Sequence, residues 1–228
     1  MPKIAYMTID DAPSVDFLDK INYLYKKKIP AIIFCLGENL VKHKSQVIKA
    51  IRLGFIIGNH CYEHKKLSES SLTNAKNQIL STDQIINGLY KKARVKRPSK
   101  FFRFPYGDTG GKHKGAIKKI LSSNEFIQPD FKKINYKFYN DYIKKNKFDT
   151  FWTFNIMEYH LSNLKKVYGR FDNKKSRLGL TMKKSGGYLS SKSNEIVIIH
   201  DHQRTTKWFY KIVDELLRRK IKFIGSFI

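Results

Sequence analysis

Residues 3–11 read Lys3-Ile4-Ala5-Tyr6-Met7-Thr8-Ile9-Asp10-Asp11. The apolar run reads as a buried strand, and two adjacent carboxylates close its C-terminal end. Neighbouring side chains on an extended chain point to opposite faces, so the two acids are expected to do different work. One can bind a metal while the other handles a proton. A solvated turn that caps the next helix would have the same local sequence. The readings separate only if His, Arg and further carboxylates arrive at the ends of other strands.

Beyond this strand, apolar residues at helical spacing (Val15, Leu18, Ile21, Leu24, Tyr25) predict a helix over 15–27, stopped by Pro30. Residues 31–36 then read as a second strand, 40–53 as a helix closed by Gly54, and 55–58 as a third strand. A long helix is expected over 68–90, capped by Ser68 or Ser70. Strand 101–104, cut off by Pro105, precedes a helix over 115–121 and a short apolar segment, 125–128. Residues 129–150 are unassigned, 151–154 read as a strand, and the Gly-, Ser- and Lys-rich stretch 169–193 as a long loop around one short helix. Strand 195–199, helix 206–220 and strand 222–224 complete the chain. Repeated strand-then-helix units imply about seven parallel strands with right-handed crossovers, an α/β sheet or barrel. Neither a repeat nor a linker divides residues 1–228, so one domain is expected.

The 228 residues are 41% hydrophobic and 14% aromatic, which argues for a packed core rather than disorder. No apolar stretch reaches the ~18 residues that span a bilayer. Met1-Pro2-Lys3 runs straight into the first strand with no signal-peptide pattern, so a cytoplasmic location is expected, with possible peripheral attachment to a membrane. Cys35 and Cys61 are the only cysteines, and reduced thiols are the default. Lys and Arg number 45 against 19 acidic residues, a net charge of +26. Such a charge suits an anionic glycan or an acidic membrane surface. It equally suits the compositional drift of a chain rich in Lys, Asn and Ile. The basic clusters carry no nucleic-acid-binding signature, so no specific nucleic-acid partner is expected.

Active groups in α/β proteins gather at the C-terminal ends of the strands. Those ends supply Asp10 and Asp11, His60 and His64, Arg103 and Tyr106, Asn155 and Glu158, and His200, Asp201 and His202. His60 and His64 share a face if Asn59-His60 begins a helix. Two imidazoles and one carboxylate make a three-ligand shell for Zn²⁺ or another divalent metal. Cys61, between the histidines, reads as a buried filler. Asp201 has the duller reading of a helix N-terminal charge, and His202 that of a structural or rim residue.

These segments resemble the polysaccharide deacetylases, the NodB-homology or family-4 carbohydrate esterases. The family's T-F-D-D-G motif corresponds to Thr8-Ile9-Asp10-Asp11-Ala12, and its H-[ST]-x-x-H motif to His60-Cys61-Tyr62-Glu63-His64. R-x-P-Y-G is intact as Arg103-Phe104-Pro105-Tyr106-Gly107. D-x-x-D-W is similar to Asn155-Ile156-Met157-Glu158-Tyr159, with Asn135-Tyr136 as a competing placement. The closing strand and His correspond to Ile196–His200.

The resemblance implies a distorted (β/α) barrel and metal-assisted removal of an N-acetyl group from a sugar of a glycan or glycoconjugate. It implies Asp11, His60 and His64 as metal ligands, for Zn²⁺ first and Co²⁺, Ni²⁺ or Mn²⁺ as alternatives. It implies Asp10 as general base, Arg103 as its partner, the Tyr106 N–H as oxyanion donor and His200 as general acid supported by Glu158. Pro105, Tyr106, Trp152 and Tyr159 become candidate substrate contacts, with core packing the alternative for the aromatic ones. Ala12 for Gly, Glu158 for Asp and Asn155 for a carboxylate depart from the family pattern. A deformylase of lipid-linked amino sugars or a small cyclic-amide hydrolase is the alternative within the family. A silent glycan- or nucleic-acid-binding protein is the alternative outside it.

Overall fold

A computed structural model describes residues 3–160 and 192–227. Most of the expected 169–193 loop therefore lies outside the described residues. Strand β1 (Ile4–Ala12) is central, and the sheet order is β3 (Ile56–Asn59), β2 (Ala31–Cys35), β1, β5 (Glu195–His200), β4 (Phe154–Asn155), with every pairing parallel. A last strand, β6 (Lys222–Phe223), pairs with Ile4 and Ala5 at the start of β1.

The expected strand 101–104 makes only isolated bridges. Phe102 bridges Asn59 on one side and Asp149 on the other. Those bridges close the ring, because the segment from Asp149 to Asn155 also supplies β4, which pairs with β5. The result is a distorted (β/α) barrel. One wall is held by continuous ladders and the other by single contacts.

The helices follow the apolar periodicity: α1 (Phe17–Lys26), α2 (Gly37–Lys42), α3 (Lys44–Arg52), α4 (Leu72–Ala93), α5 (Lys114–Ser123), α6 (Lys137–Lys145) and α7 (Thr206–Arg218). The helix expected over 40–53 breaks in two because His43 leaves helical geometry at φ −121° and ψ 35°. The long helix is capped by Ser71, whose Oγ accepts from Asn74 N at 3.2 Å, rather than by Ser68 or Ser70. Ser68 instead donates its backbone N–H to Asp108 at 3.1 Å. Helix α6 lies in the stretch that sequence left unassigned. No helix among the described residues is long and apolar enough to cross a membrane.

The period of two along β1 sorts its side chains. Ala5, Met7 and Ile9 join the apolar layer beneath the helices, together with Phe17, Ile21, Phe209 and Ile212. Tyr6 points the other way, into a cluster with Ile32, Phe34, Phe101 and Ile196. Thr8 and Asp10 share that inner side, where both receive Arg103. Burying this many aromatic and branched side chains provides the main driving force for folding, at ~25 cal/mol per Å² of apolar surface removed from water.

Candidate active site

The end of β1 does not obey the alternation of an ideal strand. Its register to β2 shifts between Ile9 and Ala12, and Asp11 adopts φ 62°. Alternation would send Asp11 toward the helices. The left-handed turn brings it back, so both acids face one cleft. The expectation of opposite faces is thus corrected, through the left-handed backbone of Asp11. Asp tolerates this conformation better than most residues. Cys61 (φ 66°), Tyr106 (φ 57°) and Met157 (φ 53°) make similar turns beside the same cleft. Side chains at such angles cost of order 1–3 kcal/mol each and cluster at functional sites.

Asp10 is tied to Arg103. The guanidinium is wholly buried, and its Nη1 donates to Asp10 Oδ1 at 2.5 Å and Thr8 Oγ1 at 3.0 Å. Its Nε donates to the Thr150 carbonyl at 2.5 Å, and its face lies 4.3 Å from the Phe34 ring centroid. A planar, always charged group suits this position better than an ammonium would.

Asp11 forms a corner with the two histidines. Its Oδ1 lies 3.5 Å from His60 Nε2 and 3.3 Å from His64 Nε2. That oxygen is buried without a hydrogen-bond partner among the described residues. The His pair does not ride on a helix, as the spacing suggested. β3 ends at Asn59, and the left-handed turn at Cys61 places both rings around Asp11. Cys61 is fully buried in the core beneath, matching its reading as a filler. His60 Nδ1 donates to the Arg103 carbonyl at 2.8 Å, which leaves Nε2 facing the corner. Burial pushes the Asp11 carboxyl up, but the close imidazoles of His202 and His60, with the charge of His200 nearby, hold it well below the usual carboxylate range. One ligand atom each from Asp11, His60 and His64 lies within 4.8 Å of the others. A buried anionic oxygen without a donor, beside two imidazole nitrogens, is the donor set of a divalent metal.

His200 ends β5 and rests on Glu158. Its backbone N–H donates to Glu158 Oε1 at 2.6 Å, and its Nδ1 lies 3.2 Å from the same oxygen. Burial pulls the imidazolium down, yet the Glu158 charge and hydrogen bond, with Asp11 and Asp10 behind them, raise its pKa to about 9. Asn155 Oδ1 accepts from Met157 N at 2.8 Å, shaping the turn that delivers Glu158. Asn135 instead donates its N–H to Ser193 Oγ, and Tyr136 bonds Glu195, at the opposite end of β5 from His200.

These groups meet in a cleft of about 520 Å³. Asp10, Asp11, His60, His64, Tyr106, Trp152, Tyr159 and His200 line it, whereas Pro105 is buried behind its wall. Tyr106 is 63% exposed, its ring 4.2 Å from that of His64. Tyr159 meets His200 edge-on at 4.6 Å.

Two residues were underrated by sequence. His202 also lines the cleft, with Nε2 3.1 Å from Asp11 Oδ2. Its place two residues after His200 on an extended end was the available signal. Asp201 is no exposed helix charge: it is buried against Lys20 Nζ at 2.5 Å and also accepts from Ser14 N and Oγ. A lysine on an otherwise apolar helix face was the only hint of that pair.

The fold recurs in known proteins. A family model described as polysaccharide deacetylase matches residues 1–123. A peptidoglycan-N-acetylglucosamine deacetylase of Bacillus cereus is 37% identical over 103 residues, covering 45% of this chain and 36% of its own length. The peptidoglycan-N-acetylmuramic acid deacetylase PdaC of Bacillus subtilis is 29% identical over 136 residues, 59% of this chain and 28% of its own. The chain thus spans about a third of these curated relatives. Among solved structures, a family 4 carbohydrate esterase from Streptomyces lividans in complex with acetate superimposes with a TM-score of 0.66 at 18% identity, covering 98% of this chain and 92% of that one. A family 4 pseudoenzyme from Bacillus anthracis also gives 0.66, at 16% identity, covering 99% and 65%. The family model spans more than half of the chain, and the barrel extends the likeness over nearly all the rest: the chain belongs to the polysaccharide deacetylase family.

Proposed function

We propose that the protein hydrolyses the N-acetyl amide of an amino sugar in a glycan or glycoconjugate. The observation that carries this reading is the convergence on one cleft of three devices. These are the Arg103-bound Asp10, the corner of Asp11, His60 and His64, and the Glu158–His200 pair. Simple binding of a sugar needs none of them.

Asp11, His60 and His64 would hold a divalent cation, with Zn²⁺ first and Co²⁺, Ni²⁺ or Mn²⁺ as alternatives. Such an ion supplies Lewis acidity and lowers the pKa of nearby water. Asp10, oriented by Arg103, takes a proton from the attacking water. The Tyr106 backbone N–H, on its left-handed turn at the cleft wall, donates to the oxygen that gains charge as the amide carbonyl becomes tetrahedral. His200, kept protonated by Glu158, gives its proton to the leaving amine. Tyr106, Trp152 and Tyr159 offer ring faces to the sugar. The acetylated peptidoglycan sugars named for the relatives make N-acetylglucosamine the first substrate to try.

Acetate release from N-acetylglucosamine oligomers by the metal-loaded chain tests the reading. Asp10→Asn should lower turnover by about 10²-fold or more while leaving bound metal unchanged. Full turnover in that variant would remove Asp10 from its role. A protein that binds oligomers and releases no acetate supports the second reading, a glycan-binding protein without catalysis, which the pseudoenzyme of the same fold and the charge of +26 favour.

A further inference from the structure

The cleft contains one imidazole for which the proposed reaction has no use. We propose that His202 is a positioning residue for the cation site: its Nε2–H holds Oδ2 of Asp11, so that Oδ1 alone faces His60 and His64. The inference rests on the proposed metal-dependent reading and assigns a role within it.

The two oxygens of Asp11 face different surroundings. Oδ1 looks into the corner, within 3.5 Å of both histidine Nε2 atoms, and Oδ2 lies 3.1 Å from His202 Nε2. A carboxylate without such a donor is free to rotate about Cβ–Cγ and to present either oxygen, or both. A single donor on Oδ2 removes that freedom before the cation arrives. His202 is itself outside the ligand set, because among the described residues only Asp11, His60 and His64 bring ligand atoms within 4.8 Å of one another.

The donor is held by its own backbone and by its neighbours. The His202 carbonyl accepts from Thr205 N at 3.1 Å and Thr205 Oγ1 at 3.0 Å, with Thr206 Oγ1 and Lys20 Nζ each at 3.4 Å. Its ring lies parallel to that of His200, with centroids 5.8 Å apart and an interplanar angle of 3°, and edge-on to Tyr159. Alternation along the extended segment puts His200 and His202 on the cleft side, while Asp201 between them turns back to Lys20. The His202 side chain is 32% exposed, so its position is not explained by filling a core. Donors that orient a ligating group commonly change metal affinity by 10–100-fold when removed.

Two substitutions of similar bulk separate hydrogen bonding from packing: His202→Leu has no donor, and His202→Gln restores an N–H. Zn²⁺ affinity of the full chain is measured by competition with a chromogenic chelator, and the Co²⁺ absorption spectrum reports ligand geometry. His202→Leu should bind Zn²⁺ about 10–100-fold more weakly than the parent and shift the Co²⁺ bands, while His202→Gln stays within a few-fold of the parent. Parent-like affinity and spectrum in His202→Leu would overturn the inference alone. So would a His202→Gln as weak as His202→Leu. A parent that binds no better than a His64→Ala control would overturn the metal site and this inference together.

Discussion

Glu158→Gln isolates the electrostatics of the His200 pair with little change of shape. Glu158 is 1% exposed, and its Oε1 accepts both the His200 backbone N–H and Nδ1. A glutamine carbonyl can keep both bonds, but the negative charge is lost. Burial is the largest influence on His200 and acts downward. Without Glu158, its pKa should therefore fall from about 9 to the ordinary 6.5 or below. The folded value lies above the unfolded one, so the stabilisation is complete below pH 6.5 and is lost as pH rises through about 9. At ~1.4 kcal/mol per pH unit, that window corresponds to about 3 kcal/mol of stability. The assay is a set of urea melts of the chelator-treated parent and variant across that range, with NMR titration of the His200 ring. The parent's advantage over Glu158→Gln should narrow by about 3 kcal/mol from the acidic to the basic end. Equal pH slopes in the two proteins, or an unmoved His200 titration, would refute the reasoning.

Lys20→Met strips the counter-ion from buried Asp201 and should cost about 3–5 kcal/mol in urea melts, while Lys20→Met with Asp201→Asn recovers most of the loss. Asp149 is buried with its carboxyl pushed up to about 6, chiefly by burial against weaker help from Tyr142, Phe104 N and Arg103. Its folded pKa exceeds the ordinary 3.8, so the parent should lose stability as pH rises from 3.8 through about 6. Asp149→Asn, whose amide oxygen can accept from Phe104 N while its NH₂ donates to the Tyr142 hydroxyl, should lack that slope in urea midpoints measured across the same range.

Much of the architecture was legible because it is local. The strand at Ile4–Ala12, the helix at Phe17–Lys26 and the strand at Glu195–His200 each carry a complete apolar period in their own residues. The long helix was equally plain, although its cap belongs to Ser71 because Ser68 is engaged by Asp108, forty residues away. Segment 101–104 has the composition of a strand but only bridge contacts, since its neighbours Asn59 and Asp149 meet it one residue at a time. Nothing in residues 129–150 announces α6, whose buried face is reduced to Tyr139.

By itself the sequence determined the order of the strands and helices and the chemical groups delivered at each strand end. Those properties depend on side-chain period and on residues close in the chain. Only the tertiary structure decided how the groups meet. Left-handed turns at Asp11 and Cys61, which no glycine marks, bring Asp11, His60 and His64 into one corner and undo the alternation that Asp10-Asp11 suggests. The partners that orient them are distant in the chain: Arg103 for Asp10, Glu158 for His200, His202 for Asp11 and Lys20 for Asp201. Such pairings are set by barrel closure, where single contacts through Phe102 and Asp149 complete the ring, and no local period encodes them.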